Sequence, residues 1–419
     1  MNSRERVQMA LDHKQPDRVP VDFGATTVTG IAASTIIALR EALKLKNKTV
    51  KVQDPFLMIG RIEEDMMKAL NVDVAGILSP STKFGYRNDE WKTWNLPSGE
   101  EALVGKNFNV TVDKNGDIFA YPQGDTSVPP SAKMPKGGYY FDNILRQEPI
   151  DDAKLDGKKD YSEQFKLYSD DDLKYIERVT NDYYENSEYA LIGNFGGGSL
   201  GDLSNLPGPG LKDTPGIRDV NEWLMAHMLN KQYIKDAYEY QTEIILNNLK
   251  LYKQAAGDKI QVLYISGTDF GTQNGEFISP DIFRELYKPF YKRVNDWVHA
   301  NTKWKTFYHS CGSIIKLMDD FVEMGVDVLN PVQCSAAGMD PKLLKEKYGD
   351  KLVFWGGGID TQHVLPFGTP DKVKEETTER VKVFSKGGGY IFNAIHNVQA
   401  CTPIENLIAM LEAINEFNS

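Results

Sequence analysis

Two rhythms of apolar residues alternate along this chain. Short runs rich in β-branched and aromatic residues recur at Val19–Phe23, Val72–Leu78, Ala190–Asn194, Lys259–Ile265, Lys305–Tyr308, Val326–Val332, Leu352–Gly358 and Tyr390–His396, and each reads as a strand. Between them, apolar residues fall at helical spacing over Arg4–Asp12, Ala32–Leu43, Asp54–Leu70, Ser169–Asn186, Val220–Met228, Gln232–Ala256, Pro280–Ala300 and Ile314–Met324, with further helices opening at Pro341, Pro370 and Pro403. Eight strands alternating with helices predict an α/β fold of the (β/α)8 TIM barrel type, as a single domain over 1–419. Residues 91–140 break the rhythm. Hairpin-like alternation around Pro97-Ser98-Gly99 and Lys114-Asn115-Gly116-Asp117 predicts a β-rich insertion in the N-terminal half.

Local signals sharpen some boundaries. Asn2 and Glu5 have the spacing of a capping box for the first helix, and Asp170, Asp171 and Asp172 crowd the first turn of another, where the helix dipole favours them. Phe195-Gly196-Gly197-Gly198-Ser199-Leu200-Gly201 follows a strand but precedes no clear helix, so it reads as a flexible substrate loop rather than a phosphate cradle.

In a parallel barrel, chemistry collects where strands end. Tyr308-His309-Ser310-Cys311-Gly312 closes one strand, and alternation puts His309 and Cys311 on one face. Imidazole and thiolate together suit Zn2+. Cys334 ends the next strand after 22 intervening residues, and His396 ends the last, so these four groups can converge on one ion. Cys401 competes with His396, because it precedes a helix start that can activate a thiolate. The bland alternative is a buried histidine and inert core cysteines. Asp269, on the loop after another strand, is a candidate proton acceptor or simply a turn residue. Asp22, Asn194 and Gln333 are candidates for orienting a substrate. Tyr139, with Trp91 and Trp94, can receive an aromatic substrate or build a small core of its own. His363 reads as exposed, and Glu375 and Glu376 as a solvated helix face.

Composition removes several classes. A net charge of −11 argues against nucleic acid, and no apolar run approaches the ~20 residues that span a bilayer. The start of the chain lacks the apolar core of a signal peptide, and three cysteines do not make a disulfide framework, so a cytoplasmic protein with reduced thiols is expected.

The opening helix with Pro16-Asp17-Arg18-Val19-Pro20, the Ile278-Ser279-Pro280 helix start, Tyr308-His309-Ser310-Cys311-Gly312 and Thr402-Pro403-Ile404-Glu405-Asn406 resemble the uroporphyrinogen decarboxylase superfamily over nearly the whole chain. Within it the chain looks most like corrinoid-dependent methyltransferases, including the methyl-transferring components of acetogen-type O-demethylase systems. It is also similar to methylcobamide:coenzyme M methyltransferases, whose zinc is held by a His-x-Cys pair and a later cysteine. His309 and Cys311 match the pair, while His396 stands where that cysteine would be. In the more distant cobalamin-independent methionine synthases a ligand comes from the strand after the pair, near Cys334. The decarboxylases resemble one another in an N-terminal Arg-Gln-x-x-Gly-Arg signature, absent from Val21–Thr27 here. The resemblance implies a Zn2+-dependent enzyme that moves a methyl group from a small methylated substrate, preferably an aromatic methyl ether, to the cobalt of a corrinoid protein. Its metal ligands would come from His309, Cys311, Cys334 and His396, with Asp269 catalytic. The corrinoid protein and a second copy of the chain are the expected partners. A metal-free decarboxylase, transfer from a methylated amine or to a thiol, and a silent barrel that only binds a carrier are the alternatives.

Overall fold

A computed structural model describes residues 1–419. Its centre is a curled sheet of seven parallel strands, ordered in space as in sequence: Val74–Ile77, Ala190–Asn194, Val262–Ser266, Lys305–His309, Val328–Asn330, Val353–Trp355 and Tyr390–Ile391. The Val19–Phe23 run contributes one parallel bridge, Val21 to Phe392. On that side the Asp22 N–H donates to the Phe392 carbonyl at 2.9 Å, and on the other the Asp73 N–H donates to the Val21 carbonyl at 2.8 Å. Pro20–Asp22 therefore hydrogen-bonds beside both edge strands.

Alternation along each strand sorts side chains into two cores. Val74, Ile192, Val262, Phe307, Val328, Val353, Trp355 and Ile391 share the inner cluster with Val7, Ala10 and Leu11 of the first helix. Their neighbours Tyr308, Leu329 and Phe354 belong to the outer cluster, against the surrounding helices. The first helix spans Ser3–Leu11 and carries both bonds of the Asn2/Glu5 capping box. Ser169, Ser279, Asp340 and Thr369 likewise cap the helices that follow them.

At the N-terminal end of the sheet, Asp73 is fully buried. Its carboxylate accepts from Arg6 Nη1 at 2.7 Å, Arg18 Nη1 at 2.8 Å, Ser3 Oγ at 2.7 Å and the Val21 N–H at 3.0 Å. The first helix and the loop after it are thereby tied to the start of two adjacent chain segments.

One predicted helix is corrected. Asp54–Leu70 is not continuous: Val50–Asp54 and Ile59–Gly60 are antiparallel strands, and only Glu64–Ala69 is helical. The Asp54 carboxylate accepts the N–H groups of Phe56 and Leu57 at 2.8 and 3.1 Å, and Met58 takes φ 55°, so the aspartate that resembles a helix cap turns a hairpin instead. The β-rich part accordingly begins before residue 91. Trp91–Asn95 and Glu101–Gly105 join a five-stranded sheet with Val50–Asp54, and a separate four-stranded sheet lies within residues 110–143. Predicted helix Pro280–Ala300 is divided at Tyr287 into Pro280–Leu286 and Lys288–Asn301. No helix is long and apolar enough to cross a membrane.

Candidate functional site

The inner face that carries Phe307 and Val328 continues, two residues on, to His309 and Asn330. Parallel register sets these two side by side. Asn330 Nδ2 donates to the Trp355 carbonyl at 2.8 Å, which turns its Oδ1 toward His309, and His309 Nδ1 lies 2.5 Å from that oxygen. An amide oxygen can only accept, so Nδ1 holds the proton and Nε2 presents its lone pair. That lone pair lies 3.2 Å from Cys311 Sγ.

His396 completes the arrangement from the loop after Tyr390–Ile391, where it adopts φ 68°. A positive φ in a non-glycine residue is sparsely populated and often marks a functional position. The His309 and His396 rings lie 5.0 Å apart, and the ligand atoms of His309, Cys311 and His396 all fall within 4.8 Å of one another. Around tetrahedral Zn2+, donor atoms sit about 3.3–3.8 Å apart, so modest closure brings this set to ligand geometry. The chemistry of the donors also fits. Burial lowers the pKa of His309 to about 4 and also depresses that of His396, so both imidazoles are neutral at pH 7. Burial, and then the carboxylate of Asp269, raise the Cys311 thiol well above its ordinary range, so a nearby cation is what would draw it toward thiolate.

Asp269 joins the cluster from the loop after Val262–Ser266. Its Oδ1 accepts the Cys311 N–H at 2.7 Å and lies 3.7 Å from His309 Nε2. The loops meet at Gly271 and Gly312, where a Cβ on Gly312 would lie 2.3 Å from the Gly271 carbonyl carbon. Only glycine permits that approach, and Gly312 also needs φ 81°. Burial within the two loops raises the pKa of Asp269.

These groups border a cavity of about 820 Å³, lined by His309, His396, Asp269 and several aromatic side chains, among them Tyr168, Phe195, Tyr238 and Tyr264. The glycine-rich segment contributes Gly196, Gly197, Ser199 and Gly201 to its wall.

The remaining candidates lie apart from this cluster. Cys334 is not part of it: the strand ends at Asn330 and Val332 takes φ 59°, so inward alternation does not carry on to Cys334. Its thiol donates to the Val332 carbonyl at 3.2 Å, and burial pushes its pKa up to about 12. Asp22 is fully buried, accepting from Trp355 Nε1 at 2.9 Å and the Ala25 N–H at 3.0 Å. Asn194 donates to the Ala25 carbonyl at 2.9 Å. Gln333 accepts the Gly312 N–H at 2.7 Å and so braces the turn after Cys311. Asp22, Asn194, Gln333 and Tyr139 do not line the cavity. Tyr139 is exposed beside Cys401, Trp94 packs edge-on against Phe108, and His363 is exposed against Asp360. Three residues of the site were not anticipated. Asn330 carried a usable signal, its place two residues after an inward valine. Asp202, whose charge acts on His309 and Asp269, and Lys83 lie in loops without periodicity.

Residues 213–417 match the family model described as Uroporphyrinogen decarboxylase (URO-D). This stretch includes the strand-end residues described above. Uroporphyrinogen decarboxylase of Coxiella burnetii is 28% identical over 89 residues, which is 20% of this chain and 24% of that protein. The Pseudoalteromonas translucida enzyme is 26% identical over 98 residues, 22% of this chain and 27% of that protein. The chain thus aligns with about a quarter of the length of these curated relatives. Among solved structures, a methyltransferase from Methanosarcina mazei aligns over 100% of both chains with a TM-score of 0.55 and 16% identity, a likeness of fold. The family match covers just under half of this chain, and the structural likeness is one of fold.

Proposed function

We propose that this chain is a zinc-dependent methyltransferase, in which His309, Cys311 and His396 hold the metal beside the cavity and a small methylated donor passes its methyl group to a corrinoid carried by a separate protein. The observation that carries the reading is the convergence of those three donor groups within 4.8 Å, with the tautomer of His309 set by Asn330. Bound Zn2+ supplies Lewis acidity toward the heteroatom that leaves as the methyl group departs.

The chain's own residues do the rest. Asp269 holds the Cys311 backbone through Oδ1, leaving Oδ2 free to orient the donor or take a proton. The aromatic walls exclude water and position the donor, and their composition favours an aromatic methyl ether. The corrinoid protein docks over the same mouth, which belongs to a full (β/α)8 barrel closed by Pro20–Asp22, with the region over residues 91–140 as its insertion. The single domain works in the cytoplasm.

Uroporphyrinogen decarboxylase relatives raise a metal-free decarboxylase as the second reading. A porphyrinogen bearing many carboxylates suits the cavity poorly, because five Asp or Glu side chains line it against two lysines. Metal content by mass spectrometry decides. About one zinc per chain is expected in the wild type and none in Cys311→Ala. A wild-type protein that takes up no zinc on incubation overturns the proposal and moves the decarboxylase ahead.

A further inference from the structure

Two lysines line the cavity; Lys166 is exposed to solvent, whereas Lys83 is partly buried and has no partner. Lys83 lines the wall, yet its ammonium forms no ion pair within 4.0 Å and donates no hydrogen bond to the protein. Its nearest organised contact is the ring of Phe56, with Nζ 4.1 Å from the centroid. Phe56 is itself buried against Phe84, with ring centroids 5.7 Å apart.

The backbone beneath Lys83 is held firmly. Residues 81–87 form a tight hairpin with a Ser81–Arg87 bridge, and the Gly85 N–H donates to the Thr82 carbonyl at 2.9 Å. Phe84 is fully buried, and its carbonyl accepts the Gln123 N–H at 2.6 Å. On the far side the Gly210 segment lies so close that a Cβ there would meet the Lys83 carbonyl oxygen at 2.9 Å. A flexible surface lysine would swing into bulk water. This one starts from a fixed turn inside a cavity, where burial lowers its pKa and distant Asp202 and Asp54 offset only part of that cost. A ligand that brings its own negative charge would restore the missing interaction.

We propose that Lys83 binds a carboxylate on the methyl donor, so that the cavity selects a carboxylic acid bearing the transferable methyl group over its neutral counterpart. Of the two lining lysines Lys166 is exposed, so one partly buried ammonium stands among five acidic lining side chains; it suits one negative charge, and a phosphate dianion would meet more repulsion than attraction. The aromatic ring at Phe56 leaves an apolar surface beside the bound carboxylate, as an aryl acid requires. The inference rests on the methyltransferase reading for the donor's role, while the binding site itself stands on Lys83.

The test is calorimetric titration of the full-length protein with 4-methoxybenzoate, with 4-methoxybenzamide as the uncharged isostere, and with 4-methoxyphenyl phosphate. Zinc content is measured on every sample. The wild type is expected to bind the benzoate about tenfold or more tighter than the amide and tighter than the phosphate. Lys83→Met should erase the preference for benzoate over amide, and Lys83→Arg should keep most of it. Thermal unfolding of both variants guards against a folding defect. Equal binding of benzoate and amide by the wild type, binding of neither, or a preference that survives Lys83→Met overturns the inference. Tighter phosphate binding overturns the carboxylate assignment. A charge preference that Lys83→Met abolishes in protein without zinc upholds the inference while the metal reading fails.

Discussion

The two ends of one parallel sheet treat buried polar groups in opposite ways. At the N-terminal end, Asp73 receives hydrogen bonds from Arg6, Arg18, Ser3 and the Val21 backbone, so its lone pairs are met by donors that carry compensating charge. At the C-terminal end, the ligand atoms of His309, Cys311 and His396 gather within 4.8 Å, Cys311 Sγ lies 3.2 Å from His309 Nε2, and Asn330 and Asp269 hold the pair in place. The first arrangement is complete within the chain and serves stability. The second gathers three groups of metal-ligand type, and the proposed function rests on it.

The contrast can be broken most strongly at Asp73. Asp73→Ala leaves Arg6 with only the partly exposed Asp17 and strips the buried Val21 N–H of its acceptor, and chemical denaturation should show a loss of about 3–5 kcal/mol. The fraction that remains folded should keep its zinc. A loss under about 1 kcal/mol would mean that the N-terminal end is not the clamp its geometry suggests.

A smaller effect is expected at Asn330. Asn330→Ala frees His309 to adopt the other tautomer, and zinc affinity measured by competition with a chelator should fall about 10–100-fold. Unchanged affinity would remove Asn330 from the site and leave it a structural link to the Trp355 carbonyl.

The gentlest probe is Asp22, between the two ends. Burial raises its pKa to about 7, above the unfolded value of 3.8. Its folded form therefore holds a proton that the unfolded form has released, and the stability it contributes at low pH is lost as pH rises through about 7. Wild-type unfolding free energy should decline between about pH 4 and 7, with a slope bounded by about 1.4 kcal/mol per pH unit for one proton. Asp22→Asn should remove that slope. The variant carries a constant penalty because one amide cannot accept from both Trp355 and Ala25, so the slope is the readout and the offset is not. An unchanged slope would show that Asp22 does not titrate in this window.

The strands and the His-x-Cys pair were legible because both depend on period-two alternation, which is local. Phe307 and His309 share a face whatever surrounds them, and the run Ala190–Asn194 is a strand with those bounds. The Asn2/Glu5 capping box is equally local, and both of its hydrogen bonds are present. Where alternation stops, legibility stops with it. Cys334 looked equivalent to Cys311 by strand position, but the backbone turns at Val332 and carries it away from the cluster. Asp54 looked like a helix start because an aspartate cap serves hairpin turns as readily as helices.

Sequence alone determined the alternation of strands and helices, the net negative charge, and the pairing of an imidazole with a thiol on one strand face. These follow from residue type and spacing over fewer than about ten positions, where backbone geometry leaves little choice. Strand-end position offered His396, Asp269 and Cys334 alike as companions of that pair, and only the tertiary structure decided which of them, and which others, joined it. His396 reaches it through a φ of 68°, Asn330 through parallel register, and Asp269 through the contact of two glycines. Lys83 faces the same cavity from a hairpin more than two hundred residues away in sequence. Such meetings depend on how the sheet curls and where loops touch, and no local pattern encodes them.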